Sequence, residues 1–163
     1  MYKLYTDGAC SNNKVGEGIG GFGAVITNCD NIVKTIGGSK QGTTNNRMEL
    51  WAVSAGLKTI ISMAKKYSEE EFKMIGECHV YSDSKYVVNN WIKYAPTWKR
   101  NGWKKSNHTD VLNVDLWKKL DYYVNKFKNV SFIWVKGHAG HELNEKADQI
   151  ATNFVQRLKR RIK

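Results

Sequence analysis

The order of strand-like and helical segments is the feature that most restricts how this chain can fold. Clusters of apolar residues typical of strands come first, and from Asn46 an apolar stripe with a period near 3.6 residues predicts a helix. The predicted strands cover residues 2–6, 22–28, 31–37, 78–82 and 130–135, and the later predicted helices cover residues 84–91, 111–127 and 142–161. This order predicts an α/β fold, a mixed sheet with helices packed on it.

Length and charge narrow the functional classes. A chain of 163 residues suits one domain with one core, so we take residues 1–163 as a single domain. Its formal net charge of +11 points to a polyanionic partner, and nucleic acid is the usual one. The sequence contains no run of about 18 apolar residues, the length needed to cross a bilayer. Three cysteines at wide spacings do not form a disulfide framework, which predicts a reducing cytoplasm.

Because only 15 acidic residues stand against 26 basic ones, the positions of the acids carry information. Asp7 is expected to close the first strand, Glu49 to lie in the first turn of the long helix, Asp83 to follow the fourth strand directly, and Asp148 to lie in the last helix. Each has an ordinary alternative: a turn residue for Asp7, a capping box with Asn46 for Glu49, a helix N-cap for Asp83, and a solvated side chain for Asp148.

The four acids together have a chemical explanation that none has alone. Four carboxylates at one edge of a sheet would repel each other unless cations neutralised them, and carboxylate oxygens select hard ions such as Mg²⁺ or Mn²⁺. Two such ions, roughly 4 Å apart, can activate a water and stabilise the leaving oxygen of a phosphodiester. Such a site needs no nucleophilic side chain.

Several blocks of the sequence resemble the type 1 ribonuclease H family, which includes cellular enzymes and the nuclease domains of reverse transcriptases. In order, the matching blocks lie at residues 5–8 (YTDG), 43–50 (TTNNRMEL), 81–84 (YSDS), 113–117 (NVDLW), 134–141 (WVKGHAGH), 144–145 (NE) and 147–148 (AD). They run over nearly the whole chain, and the second and fifth are long and specific. The resemblance implies a five-stranded mixed sheet flanked by helices. It also implies an endonuclease that cuts the RNA strand of RNA–DNA hybrids and leaves 5′-phosphate and 3′-hydroxyl ends.

The resemblance also assigns roles to single residues. Asp7, Glu49, Asp83 and Asp148 match the family's metal-binding carboxylates, and His138 matches a loop histidine that helps proton transfer or product release. The positions that match family contacts to the substrate backbone are Asn13, Thr44 and Asn45. The implied cofactor is Mg²⁺, with two ions per site and Mn²⁺ as a possible substitute. The implied partner is the hybrid alone, bound by a monomer.

The chain departs from the family pattern in places. Lys85 replaces a neutral polar residue, the stretch between Trp91 and Trp98 is longer than in well-known bacterial members, and Leu143 stands where a Pro-Glu pair is partly expected. None of these changes removes a metal ligand. No additional hybrid-binding domain is expected before Met1.

The segment 91–105 matches a basic, Trp-containing protrusion that grips the DNA strand, and we extend this basic protrusion to about residue 109. No acidic residue occurs between Ser84 and Thr109, where cations could pair with phosphates and rings could pack on sugars or bases. The predicted substrate contacts there are Trp98, Lys99, Arg100, Trp103, Lys104 and Lys105. Trp91 could equally lie in the core. The C-terminal run over about residues 157–163 is interpreted as a solvated basic tail.

Two other functions remain open at this point. A nucleic-acid-binding module without catalysis would explain the charge and the aromatic residues equally well, although a pure binder would gain from losing the four carboxylates. A DNA-cutting relative such as an integrase or a junction resolvase would share the fold. The long blocks at residues 43–50 and 134–141 argue against that second alternative.

Overall fold

The computed structural model describes residues 1–12 and 17–162 and contains five strands and six helices in that part of the chain. The strands are β1 (Tyr2–Cys10), β2 (Gly18–Asn28), β3 (Asn31–Thr43), β4 (Glu77–Ser82) and β5 (Asn129–Trp134). The helices are α1 (Asn45–Met63), α2 (Glu69–Ile75), α3 (Lys85–Lys93), α4 (Ala95–Arg100), α5 (Val114–Val124) and α6 (Glu142–Arg161).

The five strands form one sheet in the order β3-β2-β1-β4-β5. The pairs β1–β2 and β2–β3 are antiparallel, while β1–β4 and β4–β5 are parallel, so the sheet is mixed. Helices cover both of its faces. The helix α6 packs on β1, β2 and β3, and α1 packs on the opposite face of β1 and β2. The α/β prediction of a mixed sheet flanked by helices is therefore confirmed.

The hydrophobic core lies mainly between the sheet and the layer formed by α1, α3 and α5. Leu4 and Val80 from the central strands, Leu57 from α1 and Trp117 from α5 have no solvent exposure. The helix α1 enters this core with Leu50, Val53, Leu57 and Ile60. Of the apolar stripe predicted from the sequence, which comprises Met48, Trp51, Ala52, Ala55 and Ile60, only Ile60 belongs to it. No helix in the described ranges combines the length and the hydrophobicity needed to cross a membrane.

The first strand is longer than the sequence pattern predicts, which corrects the position of Asp7. β1 continues to Cys10 because its antiparallel pairing with β2 runs from Tyr2↔Asn28 to Cys10↔Gly20. Its parallel pairing with β4 ends earlier, at Thr6↔Ser82. Asp7 therefore lies inside a strand, at the point where β4 leaves the sheet, and the Asp7-Gly8 pair forms no turn.

The helix starts also differ from the alternatives drawn from the sequence. Thr44 is the N-cap of α1, and its hydroxyl accepts a hydrogen bond from the Arg47 amide, so Asn46 and Glu49 form no capping box and Glu49 lies beyond the first turn. Ser84, not Asp83, caps α3 through the Val87 amide. Neither acid is thus needed to cap a helix, which leaves both available for other chemistry.

Two short helices were not predicted. α2 begins with a full capping box between Ser68 and Glu71, a signal that the sequence carries, and α4 has Pro96 in its first turn. The helix predicted over residues 111–127 is shorter, because Asn113 adopts a left-handed conformation (φ 60°) that starts α5 at Val114. The last helix has the predicted bounds, Glu142–Arg161.

Candidate active site

Three of the four predicted carboxylates converge at one edge of the sheet. One ligand atom from each of Asp7, Glu49 and Asp83 lies within 4.8 Å of the other two. Asp7 and Glu49 are 7% and 4% exposed, whereas Asp83 is half-buried. Burial of two acids beside a third is costly for ordinary surface residues, so the arrangement itself indicates a specialised site.

Strand register explains why Asp7 and Asp83 meet. Thr6 and Ser82 are the last paired residues of the parallel strands β1 and β4. The residue that follows each of them in the chain is an aspartate, and the carboxyl ends of neighbouring parallel strands lie at the same edge of a sheet. The two carboxylates are therefore brought together by pairing that is fixed over five preceding residue pairs.

Glu49 reaches the same place because α1 crosses β1 at very short range. A Cβ atom built on Gly8 would lie 2.5 Å from the Glu49 amide nitrogen and 2.7 Å from the Met48 carbonyl carbon, both of which are backbone atoms. Only glycine permits this approach. The Gly8 amide itself donates a hydrogen bond to the Asp7 carboxylate (2.9 Å), so the same residue orients one acid and admits the helix that carries another.

The fourth carboxylate comes from α6. Gly23 pairs with Asp7 across β1 and β2, and a Cβ atom on Gly23 would lie 2.2 Å from the Ala147 carbonyl oxygen. The helix can therefore pack closely beside Asp7. The Asn144 amide donates to the Tyr81 carbonyl (3.3 Å), which fixes the first turn of α6 on β4, and Asp148 follows one turn later on the same side of the helix.

A small cavity joins these acids to the loop between β5 and α6. His138 lies on this loop with a left-handed backbone (φ 56°) and an exposed side chain. The residues that line the cavity are Asp7, Asp83, Lys136, Gly137, His138, His141, Asn144, Glu145 and Asp148. The histidine that the resemblance assigns to proton transfer therefore borders the same cavity as three of the carboxylates.

The electrostatics of the site reflect crowding of like charges. Burial raises the pKa of Asp7 far above its usual range, and the Glu49 charge and contact with the Asp148 carboxyl raise it further. Burial also raises the pKa of Glu49, helped by the charge of Asp83. Burial and the Asp148 charge raise the pKa of Asp83. Without a cation, the folded protein thus holds protons that the unfolded chain would release.

This shift predicts that the metal-free protein loses stability as pH rises. Unfolded carboxyls release their protons near pH 4, whereas the folded Asp7 and Glu49 keep theirs to higher pH, so the folded state binds more protons and the slope of unfolding free energy against pH is negative. The unfolding temperature in EDTA should fall from pH 5 to pH 8, and Mg²⁺ should raise it more at pH 8. Calorimetry at both pH values tests this. A Mg²⁺-induced rise in unfolding temperature that is equal at the two pH values would contradict the prediction.

The donor set fits a hard divalent cation. All the converging ligands are carboxylate oxygens, which Mg²⁺ and Mn²⁺ prefer. Within the described part of the chain, the buried Oε2 atom of Glu49 has no hydrogen-bond partner, and a bound cation would satisfy it. A cation would also relieve the repulsion that raises the pKa values of the acids.

The sequence blocks at residues 43–50 and 113–117 also have a structural role. Arg47 forms a bidentate ion pair with Asp115, with nitrogen–oxygen distances of 2.7 and 3.0 Å, and also donates to Asn113. These contacts tie the start of α1 to the start of α5. They hold Thr44 and Asn45, two predicted substrate contacts, on a rigid support beside Glu49. Asn13, the third, lies outside the described residues.

The structure changes the interpretation of the tryptophans in the basic protrusion. Trp103 is only 9% exposed and belongs to the core, so its indole is not available as the broad contact surface that the sequence suggested. Trp91 also packs inward, with its ring centroid 5.2 Å from that of Phe132. Trp98 is half-buried and stacks on the exposed Tyr94 at 5.9 Å. Tyr94 was not among the predicted contacts, although its position four residues before Trp98 could have indicated the pair.

The predicted cationic contacts in the protrusion are all exposed: Lys99, Arg100, Lys104 and Lys105. Two of them have acidic neighbours, since Lys99 pairs with Asp121 at 3.1 Å and Lys104 pairs with Asp110. Exposed ion pairs contribute little to stability, so these lysines can exchange partners at small cost.

Comparisons with known sequences identify the family of this chain. A family model described as RNase H matches residues 1–156. A protein named Ribonuclease H from Francisella tularensis subsp. novicida (strain U112) is 42% identical over 154 residues, which cover 94% of this chain and 90% of that protein.

Solved structures show the same fold. LC9-RNase H1, described as a type 1 RNase H with the type 2 active-site motif, is 28% identical with a TM-score of 0.76, and the match covers 95% of this chain and 72% of that one. LC11-RNase H1, solved in complex with RNA/DNA hybrid, is 20% identical with a TM-score of 0.71, and the match covers 97% of this chain and 99% of that one. By family model, sequence identity and fold, the chain belongs to the ribonuclease H family.

Proposed function

We propose that this ribonuclease H cuts the RNA strand of RNA–DNA hybrids internally, with two divalent cations held by Asp7, Glu49, Asp83 and Asp148. The observation that carries the proposal is the convergence of three carboxylates within 4.8 Å in a chain whose net charge is +11. A chain built only to bind a polyanion has no use for buried acids at its surface cleft. The hybrid as substrate is further supported by the LC11-RNase H1 complex with RNA/DNA hybrid.

The residues of the site have separate roles in this proposal. The carboxylates hold the cations, and cations bound there would lower the pKa of an attacking water and stabilise the leaving 3′ oxygen. Gly8 and Gly23 set the spacing of the acids by admitting α1 and α6. His138, exposed beside the cavity, accepts or returns a proton at its imidazole and helps release the product. Products carry 5′-phosphate and 3′-hydroxyl ends.

The substrate spans the carboxylates and the basic protrusion. Thr44 and Asn45 at the start of α1 contact its backbone close to the cut, and Asn13 completes that set in our proposal. Exposed cations of the protrusion bind phosphates further away, with the Tyr94–Trp98 stack offering a ring face between them. Residues 1–163 act as one domain and as a monomer, and the three free cysteines favour the cytoplasm.

Removing two cations of the protrusion should weaken substrate binding without slowing the chemical step. Arg100→Ala combined with Lys105→Ala should raise KM for the hybrid about tenfold, and each lost phosphate contact should reduce the salt slope of binding by about 1. Because neither residue lies at the carboxylates, kcat should stay within about twofold of wild type. Steady-state kinetics at several salt concentrations measure both effects.

The matched control removes the same charge elsewhere. Lys58 on α1 and Lys128 before β5 are both exposed, and Lys128 lies at the opposite end of β5 from the carboxylate edge. Their double alanine variant should keep the KM and salt slope of wild type. Equal weakening by both double variants would show that net charge alone matters and that the protrusion is no binding site.

The decisive experiment measures cleavage of a labelled RNA strand when it is free, in an RNA duplex, and in a DNA hybrid. Each substrate is tested with Mg²⁺, with Mn²⁺ and with EDTA. We expect cutting only in the hybrid and only with metal. Tight hybrid binding without cutting under any metal condition would replace this proposal with a non-catalytic hybrid-binding module. Cutting of the DNA strand, labelled in a parallel sample of the hybrid, would instead indicate a DNA nuclease.

A further inference from the structure

We infer that Trp134 is a positioning residue for Asp83, and that Lys85 holds the Trp134 ring in place for this task. The inference rests on the proposed function, because the proposed function assigns Asp83 to the metal site. The sequence offered no role for Trp134 and marked Lys85 only as a departure from the family pattern. The three residues lie on three different segments: β5, the residue after β4, and the first turn of α3.

The hydrogen bonds around Asp83 show what the indole does. The backbone ladder between β4 and β5 ends where the Val135 amide donates to the Ser82 carbonyl at 2.9 Å. The next carbonyl along the chain, that of Asp83, accepts a hydrogen bond from the Trp134 indole nitrogen at 3.0 Å. A side chain thus continues the strand pairing for one more residue, at the position that bears the carboxylate.

Lys85 fixes the indole from the other side. Its ammonium group lies over the Trp134 ring, 5.1 Å from the centroid, as expected for a cation–π contact. Trp134 is 41% exposed even with Lys85 over its ring, so the surrounding protein does not enclose the indole on all sides. Because Lys85 follows Asp83 by two residues, the same short segment contacts the indole twice. The Asp83 carbonyl accepts a hydrogen bond from the indole nitrogen, and the Lys85 ammonium lies over the ring.

These contacts matter because the Asp83 carboxylate is repelled by a neighbouring negative charge. The charge of Asp148 acts directly on Asp83, and like charges would push the carboxylates apart. Ser82 also restrains this segment, since its hydroxyl accepts from the Ser84 amide at 3.1 Å. Trp134 supplies the restraint on the Asp83 carbonyl. Loss of a group that orients a metal ligand typically lowers metal affinity roughly 10- to 100-fold. We expect loss of a hydrogen bond to the backbone of the ligand to lie near the lower end of this range.

The test measures metal binding without relying on activity. Trp134→Phe keeps an aromatic ring but removes the indole N–H. The unfolding temperature is recorded over a series of Mg²⁺ concentrations, and bound metal raises it according to its affinity. We expect the Mg²⁺ concentration that gives a fixed rise in unfolding temperature to increase about 10-fold. Lys85→Gln should give a smaller shift in the same direction, and Lys85→Arg should restore wild-type behaviour because arginine also stacks on indole.

A control separates positioning from packing. Trp51→Phe removes an indole that packs on the Phe22 ring, with centroids 4.8 Å apart, and should lower the unfolding temperature without changing the Mg²⁺ concentration required. A Trp134→Phe protein with the wild-type Mg²⁺ dependence would overturn the inference, whatever its stability. If wild type itself showed no Mg²⁺-dependent rise, the proposed metal site would fail instead, so the two failures are distinguishable.

Discussion

Asp7→Asn is expected to reduce hybrid cleavage by at least about 10³-fold while leaving hybrid binding within a few-fold of wild type. Stabilisation of transition-state charge by bound metal is worth several kcal/mol, and each 1.4 kcal/mol corresponds to a factor of ten in rate. Asparagine keeps the shape of the side chain and an oxygen that can accept from the Gly8 amide. The loss should therefore come from charge and metal binding, and single-turnover cleavage with a separate binding assay distinguishes the two.

The same variant should change stability in opposite directions with and without metal. In EDTA near neutral pH, Asp7→Asn should unfold at a higher temperature than wild type, because it removes the buried acid whose pKa is raised by desolvation and by Glu49. With saturating Mg²⁺ the order should reverse, since wild type gains the binding energy and the variant gains little. Calorimetry under the two conditions would show the crossing.

Asp30→Asn is the matched control. Asp30 is an exposed acid whose carboxylate pairs with Lys3 at 2.7 Å, and surface ion pairs of this kind contribute little. Its activity and its response to Mg²⁺ should match those of wild type. Undiminished cleavage by Asp7→Asn would refute the assignment of Asp7 as a metal ligand and would remove the central support of the proposed mechanism.

The sequence predicted those features that depend on local periodicity and on short motifs. The bounds of α6 follow from an apolar face repeated over five turns, and the placement of Asp83 follows from a short buried strand that ends one residue before it. The architecture followed from the order of elements. These predictions succeeded because each depends on residues that are close together in the chain.

Predictions that depend on which strand or helix lies opposite were less accurate. The length of β1 is set by β2, whose glycines carry little apolar signal, so the strand seemed to end near Asp7. Trp103 follows a basic turn in sequence, but its left-handed backbone (φ 64°) helps to direct the indole into the core. The contact of Trp134 with the Asp83 carbonyl joins residues 51 positions apart, and no local pattern indicates it.

Gly8→Ala should be strongly damaging although it changes no functional side chain. The new methyl group would lie 2.5 Å from the Glu49 nitrogen, and the obstacle is helix backbone that cannot rotate away. Overpacking typically costs about 1–3 kcal/mol, which exceeds the roughly 0.4–1 kcal/mol gained when alanine replaces glycine in the unfolded chain. The helix must move outward and carry Glu49 away from Asp7. A displacement of about 1 Å can cost on the order of 10²-fold in rate.

Gly38→Ala separates this local effect from a general intolerance of the sheet to alanine. A Cβ atom on Gly38 would lie 2.7 Å from the Phe22 ring, which is a side chain that can shift, and β3 carries none of the four acids. Both variants should unfold at lower temperatures than wild type, but only Gly8→Ala should also lose about 100-fold in kcat and require more Mg²⁺. Because the approach of α1 to β1 is what joins Glu49 to Asp7, a Gly8→Ala enzyme with normal kcat and normal Mg²⁺ dependence would mean that Glu49 does not need its observed position for catalysis.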